Sequence, residues 1–273
     1  MIRRPGITPL LFAALGGTLL IYLVLPLVYL LFRLDWRQIG PVLAAPQAVR
    51  AVGVSLLTST VATAMMTLLG VPLGYLLARE RFPGRTLVTA LVFVPMVLPP
   101  LVGGILLLLL CGPYGMVGAL LETRGISLVN SLTGVILAQI FVAAPYVVVA
   151  ALSSFSSVDP ELEKAAATLG DSRWRSFRRI ALPLAWPGIA AGVTLAWVRT
   201  IGEFGATLVV AYHPYTVPVY LWVQLASEGL GAALPLALCL VGLAAAAMAG
   251  VALLGRLSIS GSRSALPVET WRR

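Results

Sequence analysis

Apolar runs dominate this chain, and short polar stretches punctuate them. Six runs reach the roughly 20 residues that a membrane-crossing helix needs. They cover 7–32, 52–78, 87–110, 132–152, 188–212 and 234–255. Arg3 and Arg4 precede the first run, as in a secretory leader. That run is far longer than the roughly 7–15 residues of a leader's apolar core, and no convincing cleavage site follows it, so it reads as a retained helix.

Two regions interrupt the pattern. The third run holds Pro95, Pro99, Pro100, Gly103 and Gly104 within ten residues. Adjacent prolines remove two backbone donors and clash with the preceding turn, so the helix should break there. A break at membrane depth is tolerated where it is packed by protein or lines a wet cavity. Both readings stand for Pro99 and Pro100: a packed kink, or part of a translocation pathway. The stretch 213–234 is apolar for a loop, with Tyr215, Tyr220 and Trp222, and is interrupted by Pro218 and Gly229. It reads either as a re-entrant piece or as an interfacial aromatic segment.

Between the fourth and fifth runs the chain turns charged: SVDPELEKAAATLGDSRWRSFRRIALPLAWP. The pattern predicts a short helix. Asp159 suits the N-cap and Pro160 the first helical position, while Glu161 and Glu163 complement the positive end of the dipole. Leu162, Ala165, Ala166 and Leu169 fall on one face, and Gly170 supplies the stop. A small-residue face on a water-exposed loop would let another protein's backbone come close.

Composition sharpens the class. The chain is 59% hydrophobic and 11% charged, with mean hydropathy +0.98, against about 25% charged in soluble domains. It therefore reads as one transmembrane domain over 1–273, with the polar loop 158–187 inside it and no separate soluble catalytic domain. With both termini on one side, 14 of the 19 basic residues share that side, from Arg3 and Arg4 through Arg79, Arg81, Arg85 and the polar loop to Arg256, Arg263, Arg272 and Arg273. Only Arg33, Arg37, Arg50 and Arg124 lie opposite. This asymmetry places both termini and the polar loop in the cytoplasm. It also accounts for most of the net charge of +9 without invoking nucleic acid. Cys111 and Cys239 read as small core residues, and the single His213 has no metal-binding companions. Gly170-Asp171-Ser172 sits at a helix stop across the membrane from His213, which rules out a serine hydrolase.

Two charges remain inside the fifth run. Arg199 and Glu203 are four residues apart, on one helical face. Either alone at the membrane centre is penalised by at least about 2.5–3.5 kcal/mol. As a pair they neutralise each other. They read either as a structural pair or as pathway residues in which Arg199 offers positive charge to an anion. Thr194, Thr200 and Thr207, with Thr58, Ser59 and Thr60 of the second run, are candidate hydroxyl donors, though such hydroxyls often bond their own backbone.

Lys164-Ala165-Ala166, Gly170, Ile180 and Leu182-Pro183 resemble the loop signature of ABC-importer permeases, Glu-Ala-Ala, three residues, Gly, nine residues, Ile-x-Leu-Pro. Lys164 departs from the signature's Glu. The stretches LLGVPLGYLLARERFPGR, FVPMVLPPLVGG, GPYGMVGALLETRGISLV and RTIGEFGATLVV resemble the molybdate, tungstate and sulfate branch, most of all its molybdate members, from about residue 52 to 254. The resemblance implies an all-α membrane protein with six transmembrane helices in the small, type I importer fold, in a prokaryotic cell membrane. It implies a second permease subunit, two cytoplasmic ATPase subunits that hold ATP and Mg, and an external solute-binding protein. It implies no cofactor on this chain, which has no Gly-x-x-x-x-Gly-Lys-Ser/Thr phosphate loop. Pro160, Glu161, Glu163, Lys164, Ala165, Ala166, Leu169 and Gly170 would form the helix that couples to the ATPase. Arg199, Glu203, Thr194, Pro99 and Pro100 would border the pathway. The implied cargo is a tetrahedral oxyanion, molybdate first, with tungstate and sulfate as alternatives. A passive anion channel is the rival of a different class, and it would need no docking loop. An intramembrane enzyme lacks a second charge cluster in the spans.

Overall fold

The computed structural model describes residues 7–263, with side chains from 10 to 250. The terminal arginines that carry part of the charge asymmetry (Arg3, Arg4, Arg272 and Arg273) lie outside the described residues, as do the side chains of Arg256 and Arg263.

The described residues form helices joined by short turns. In order these are α1 Ile7–Arg33, α2 Trp36–Ala44, α3 Pro46–Arg79, α4 Arg85–Val97, α5 Pro100–Cys111, α6 Met116–Glu122 and α7 Leu132–Ser157. There follow α8 Pro160–Thr168, α9 Arg173–Ser176, a π-helical turn Phe177–Ala181, α10 Leu182–Ile201, α11 Gly205–Val210, α12 Val217–Glu228 and α13 Leu230–Arg263. Helices are what a bilayer permits, because each satisfies its own backbone polar groups where water is absent. Five are long and apolar enough to cross, and the pair α4–α5, bent by 114°, passes the same test only when its two helices are counted together, as a broken span or a re-entrant loop.

The run 87–110 breaks where its prolines predict, into two helices set at a steep angle, because neither Pro99 nor Pro100 can donate the hydrogen bond that would carry α4 onward. One expectation needs correcting. The run 188–212 is also split. Gly202 closes α10 and α11 starts only at Gly205, so Arg199 and Glu203 do not share one continuous helix.

The core is a three-helix stack, α7 between α3 and α10. Glycines set its spacing. On α3, Gly70 faces Val147 and Val148, and Gly74 faces Ala151, where an added Cβ would fall 2.5 Å from the Ala151 Cβ. On α10, Gly188 and Gly192 make the same kind of contact with Ser154 and Ala150. Both pairs have the small-x-x-x-small spacing that lets membrane helices approach closely. Met66, Val147, Phe155, Ala185 and Ile189 fill the space between them.

The stretch 213–234 is not an open loop. Its central helix α12 buries its first turn, Val217 to Tyr220, against Ala48 and Ala51 of α3 and Leu236 of α13. The N–H of Val217 donates to the buried Ser55 Oγ at 2.8 Å. By contrast α1 stands off the bundle, its apolar side chains from Leu10 to Phe32 exposed.

Candidate functional site

The polar loop forms the expected helix. In α8 the Asp159 carboxylate accepts the Glu161 N–H at 2.9 Å, Pro160 is the first residue, and Gly170 just past the end has φ +91°, a conformation that favours glycine. Its faces are distributed differently from the one-face reading. Ala166 is buried against the protein itself, so it is not open to a partner, whereas Leu162, Ala165 and Leu169 are exposed. Burial arises because α8 lies against α9 and the π-helical turn. On the exposed side Lys164 Nζ meets Glu161 Oε1 at 2.7 Å, and this carboxylate pushes the lysine's pKa up. So the lysine at the signature's acidic position is itself countered by an acid one turn earlier.

Glu163 faces the opposite way. Its Oε1 accepts from Arg79 Nε at 2.7 Å and its Oε2 from the Tyr75 hydroxyl at 2.6 Å. Arg79 also donates to the Val158 carbonyl at 2.9 Å, just before α8. Tyr75 in turn packs edge-on against Phe155 and Phe177. The loop helix is thus clamped to the end of α3 and wedged against α7. Neither Arg79 nor Tyr75 was singled out as a site residue from sequence, because no local spacing links them to a residue more than 80 positions away.

At the other candidate site, Arg199 Nη1 donates to Glu203 Oε2 at 2.9 Å. Glu203 is 1% exposed and Arg199 28%, so the acid is the anchored member and the cation the accessible one. The second oxygen, Oε1, accepts the Ala206 N–H at 2.7 Å and so caps the start of α11. This explains the break: an acid past the end of α10 restarts the helix.

The two breaks meet. Gly205 lies against Pro100 and Leu101, where an added Cβ would fall 3.0 Å from the Pro100 Cβ, and Gly104 of α5 abuts Ala206. Ala206, Leu107 and Phe141 then pack with Ala138 and Val142 of α7. Pro99 and Pro100 are therefore placed against the segment that carries Glu203. Thr194 is not a free donor. Its hydroxyl bonds the Ala190 carbonyl at 2.8 Å, as Thr58, Ser59 and Thr200 bond theirs. Thr207 Oγ1 is buried with no partner, and Thr60 Oγ1 accepts from Trp197 Nε1 at 3.2 Å. Among the described residues no cluster of His, Cys, Asp and Glu could hold a metal ion.

The family model for the binding-protein-dependent transport system inner membrane component matches residues 70–258. A probable molybdenum ABC transporter permease protein of Haloferax volcanii is 46% identical, with 88% of each chain covered. A molybdate/tungstate transport system permease protein of Thermococcus kodakarensis is 41% identical, covering 88% of this chain and 93% of that one. Among solved structures, a bacterial ABC transporter that imports the polysaccharide alginate superposes with a TM-score of 0.73 at 20% identity, over 92% of this chain and 95% of that one. That likeness is one of fold, the type I importer permease fold.

Proposed function

This chain belongs to the family of binding-protein-dependent inner-membrane transport components, the membrane-spanning subunits of ABC importers, and on that premise we propose that it carries a tetrahedral oxyanion, molybdate or tungstate, into the cell. The observation that carries the cargo is kinship over most of its length with permeases named for molybdenum, molybdate and tungstate. Sulfate, a dianion of the same shape, is the nearest competitor.

In this reading two copies of the chain pair in the membrane, and the exposed surface of α1 is available to lipid and to the second copy. Two ATPase subunits, which hold ATP and Mg, bind at the Arg-rich end, and an external binding protein delivers cargo at the other. The loop 158–187 is the coupling element of a single transmembrane domain, and both termini are cytoplasmic. Leu162, Ala165 and Leu169, with the Glu161–Lys164 pair, meet the ATPase. Glu163 and Ala166 hold the helix to its own subunit. Closure of the ATPases on ATP then moves α8, and the clamp passes that motion to α3.

The Arg199–Glu203 pair suits a pathway for a dianion. Transit requires binding firm enough to enter and weak enough to leave. A lone buried arginine would hold a dianion tightly. One whose charge is largely countered by Glu203 lowers the electrostatic barrier without trapping the ion. Pro99 and Pro100 shape the break beside it.

The test is reconstitution of the chain with its ATPase and binding protein in vesicles, with labelled molybdate uptake followed on addition of ATP. The expected result is ATP-dependent accumulation that tungstate competes with more effectively than sulfate. Uptake that ignores ATP would mark a passive channel, and competition dominated by sulfate would reassign the cargo. Cysteine labelling at Leu162 and Tyr114, both exposed and at opposite ends of the bundle, checks the orientation.

A further inference from the structure

Next to α8, but outside the clamp, Ser172, Trp174, Arg175, Arg178 and Arg179 line a cavity of about 240 Å³. We infer that this cavity seats the phosphate headgroup of an anionic phospholipid from the adjoining leaflet.

The charge comes first. Arg175 is already countered by Asp171 at 3.1 Å. Arg178 and Arg179 make no side-chain hydrogen bond and no ion pair among the described residues. Two guanidinium groups therefore point unneutralised charge at one concavity. Guanidinium forks match phosphate oxygens in geometry as well as in charge.

The local backbone explains why both arginines reach the same place. Pro183 has no N–H to give to the Arg179 carbonyl four residues back. The helix is instead wound wide, with the Leu182 N–H bonded to the Phe177 carbonyl five residues back, in a π-helical turn that contains both arginines. Ser172 caps α9 at the Arg175 N–H, and Trp174 stacks on Phe177 at 5.4 Å, which ties the ledge to the aromatic core.

The position selects lipid over other phosphate carriers. Trp174 is exposed, and tryptophan favours the headgroup level of a bilayer. Three and five residues past the π-helical turn, Leu184 and Trp186 of α10 are also exposed, as side chains facing acyl chains are. A basic cavity that borders lipid-facing apolar surface is the arrangement that binds anionic headgroups. This inference does not depend on the cargo proposed above.

The experiment uses the full chain in nanodiscs that contain phosphatidylcholine with or without phosphatidylglycerol. After extraction, native mass spectrometry counts the lipids retained. Wild-type protein is expected to keep phosphatidylglycerol in preference to phosphatidylcholine. R178Q/R179Q is expected to lower that retention by about tenfold or more, while R81Q, at another basic position, leaves it unchanged. The single variants R178Q and R179Q, each with a smaller drop, keep the test decisive if the double variant does not fold. Equal retention in wild type and variant overturns the inference. So does displacement by millimolar inorganic phosphate, which would make this a site for a small soluble anion. Loss of ATPase association in R178Q/R179Q with lipid retention intact would assign the ledge to a protein contact and overturn it equally.

Discussion

Glu163 and Arg79 are 84 positions apart in the chain, yet their side chains meet at 2.7 Å, only 15% and 12% exposed. The contact joins the loop helix to the end of a membrane-crossing helix, and Tyr75 completes it from one turn below. Removing one partner leaves a charge in a poorly hydrated place, which typically costs about 3 kcal/mol. Glu163→Ala and Arg79→Ala should each lower thermal stability in detergent. The double variant should lose less than the two losses added, with a coupling of about 1–3 kcal/mol. Additive losses would show that the two side chains do not act together. If the clamp also passes motion, Glu163→Gln should lower uptake more than ATP hydrolysis in the assembled transporter, a split that simple destabilisation does not produce.

Ala165 and Ala166 are adjacent in sequence and opposite in exposure. Ala165→Arg should leave the permease folded and lower co-purification of the ATPase by about tenfold or more, the size expected for a clash and a charge in a close interface. Ala166→Arg should instead reduce the yield of folded permease, because the new side chain has to displace the protein's own packing. Normal ATPase association in Ala165→Arg would remove the exposed face of α8 from the docking surface.

The Arg199–Glu203 pair separates a pathway role from a packing role. Arg199→Gln alone leaves Glu203 buried without its cation, so stability should fall with uptake. In Arg199→Gln/Glu203→Gln the amide can still accept the Ala206 N–H, so the start of α11 should survive. That variant should assemble normally yet transport molybdate at least about tenfold more slowly, the effect of about 1.4 kcal/mol on a barrier. Uptake at the wild-type rate would show the pair to be a packing device.

Gly74 and Gly53 lie on the same helix in different surroundings. An added methyl at Gly74 would fall 2.5 Å from the Ala151 Cβ and 2.9 Å from the Leu152 nitrogen, while at Gly53 nothing lies within 4 Å. Gly74→Ala should destabilise by about 1–3 kcal/mol, since α3 has to move away from α7. Gly53→Ala should be neutral to slightly stabilising, within about 1 kcal/mol, because alanine is the better helix former. Thermal unfolding of the two variants side by side measures the difference.

The primary sequence by itself determined the class of molecule, the five unbroken apolar helices long enough to cross, the caps of α8 and the partnership of Arg199 with Glu203. Each of these depends on hydropathy over a window or on spacing within a single turn, and such terms act on a chain whatever it packs against. It also located the breaks at Pro99–Pro100. Only the tertiary structure decided where Arg199 and Glu203 stand relative to their helix, because Gly202 ends α10 and the Glu203 carboxylate restarts the chain at Ala206. It also decided that Glu163 and Ala166 turn inward while Leu162 and Ala165 stay open, and that the two helix breaks lie against each other. The reason is physical. In a soluble protein the buried face of a helix differs in polarity from the exposed one, so the pattern shows which is which. In a membrane, lipid tails and neighbouring helices are equally apolar, and contacts are chosen by close fit and by polar groups seeking partners. Gly74 meeting Ala151 is such a close fit between crossing helices, Glu163 meeting Arg79 joins polar groups where a crossing helix ends at the polar loop, and both appear only when distant segments are brought together in space.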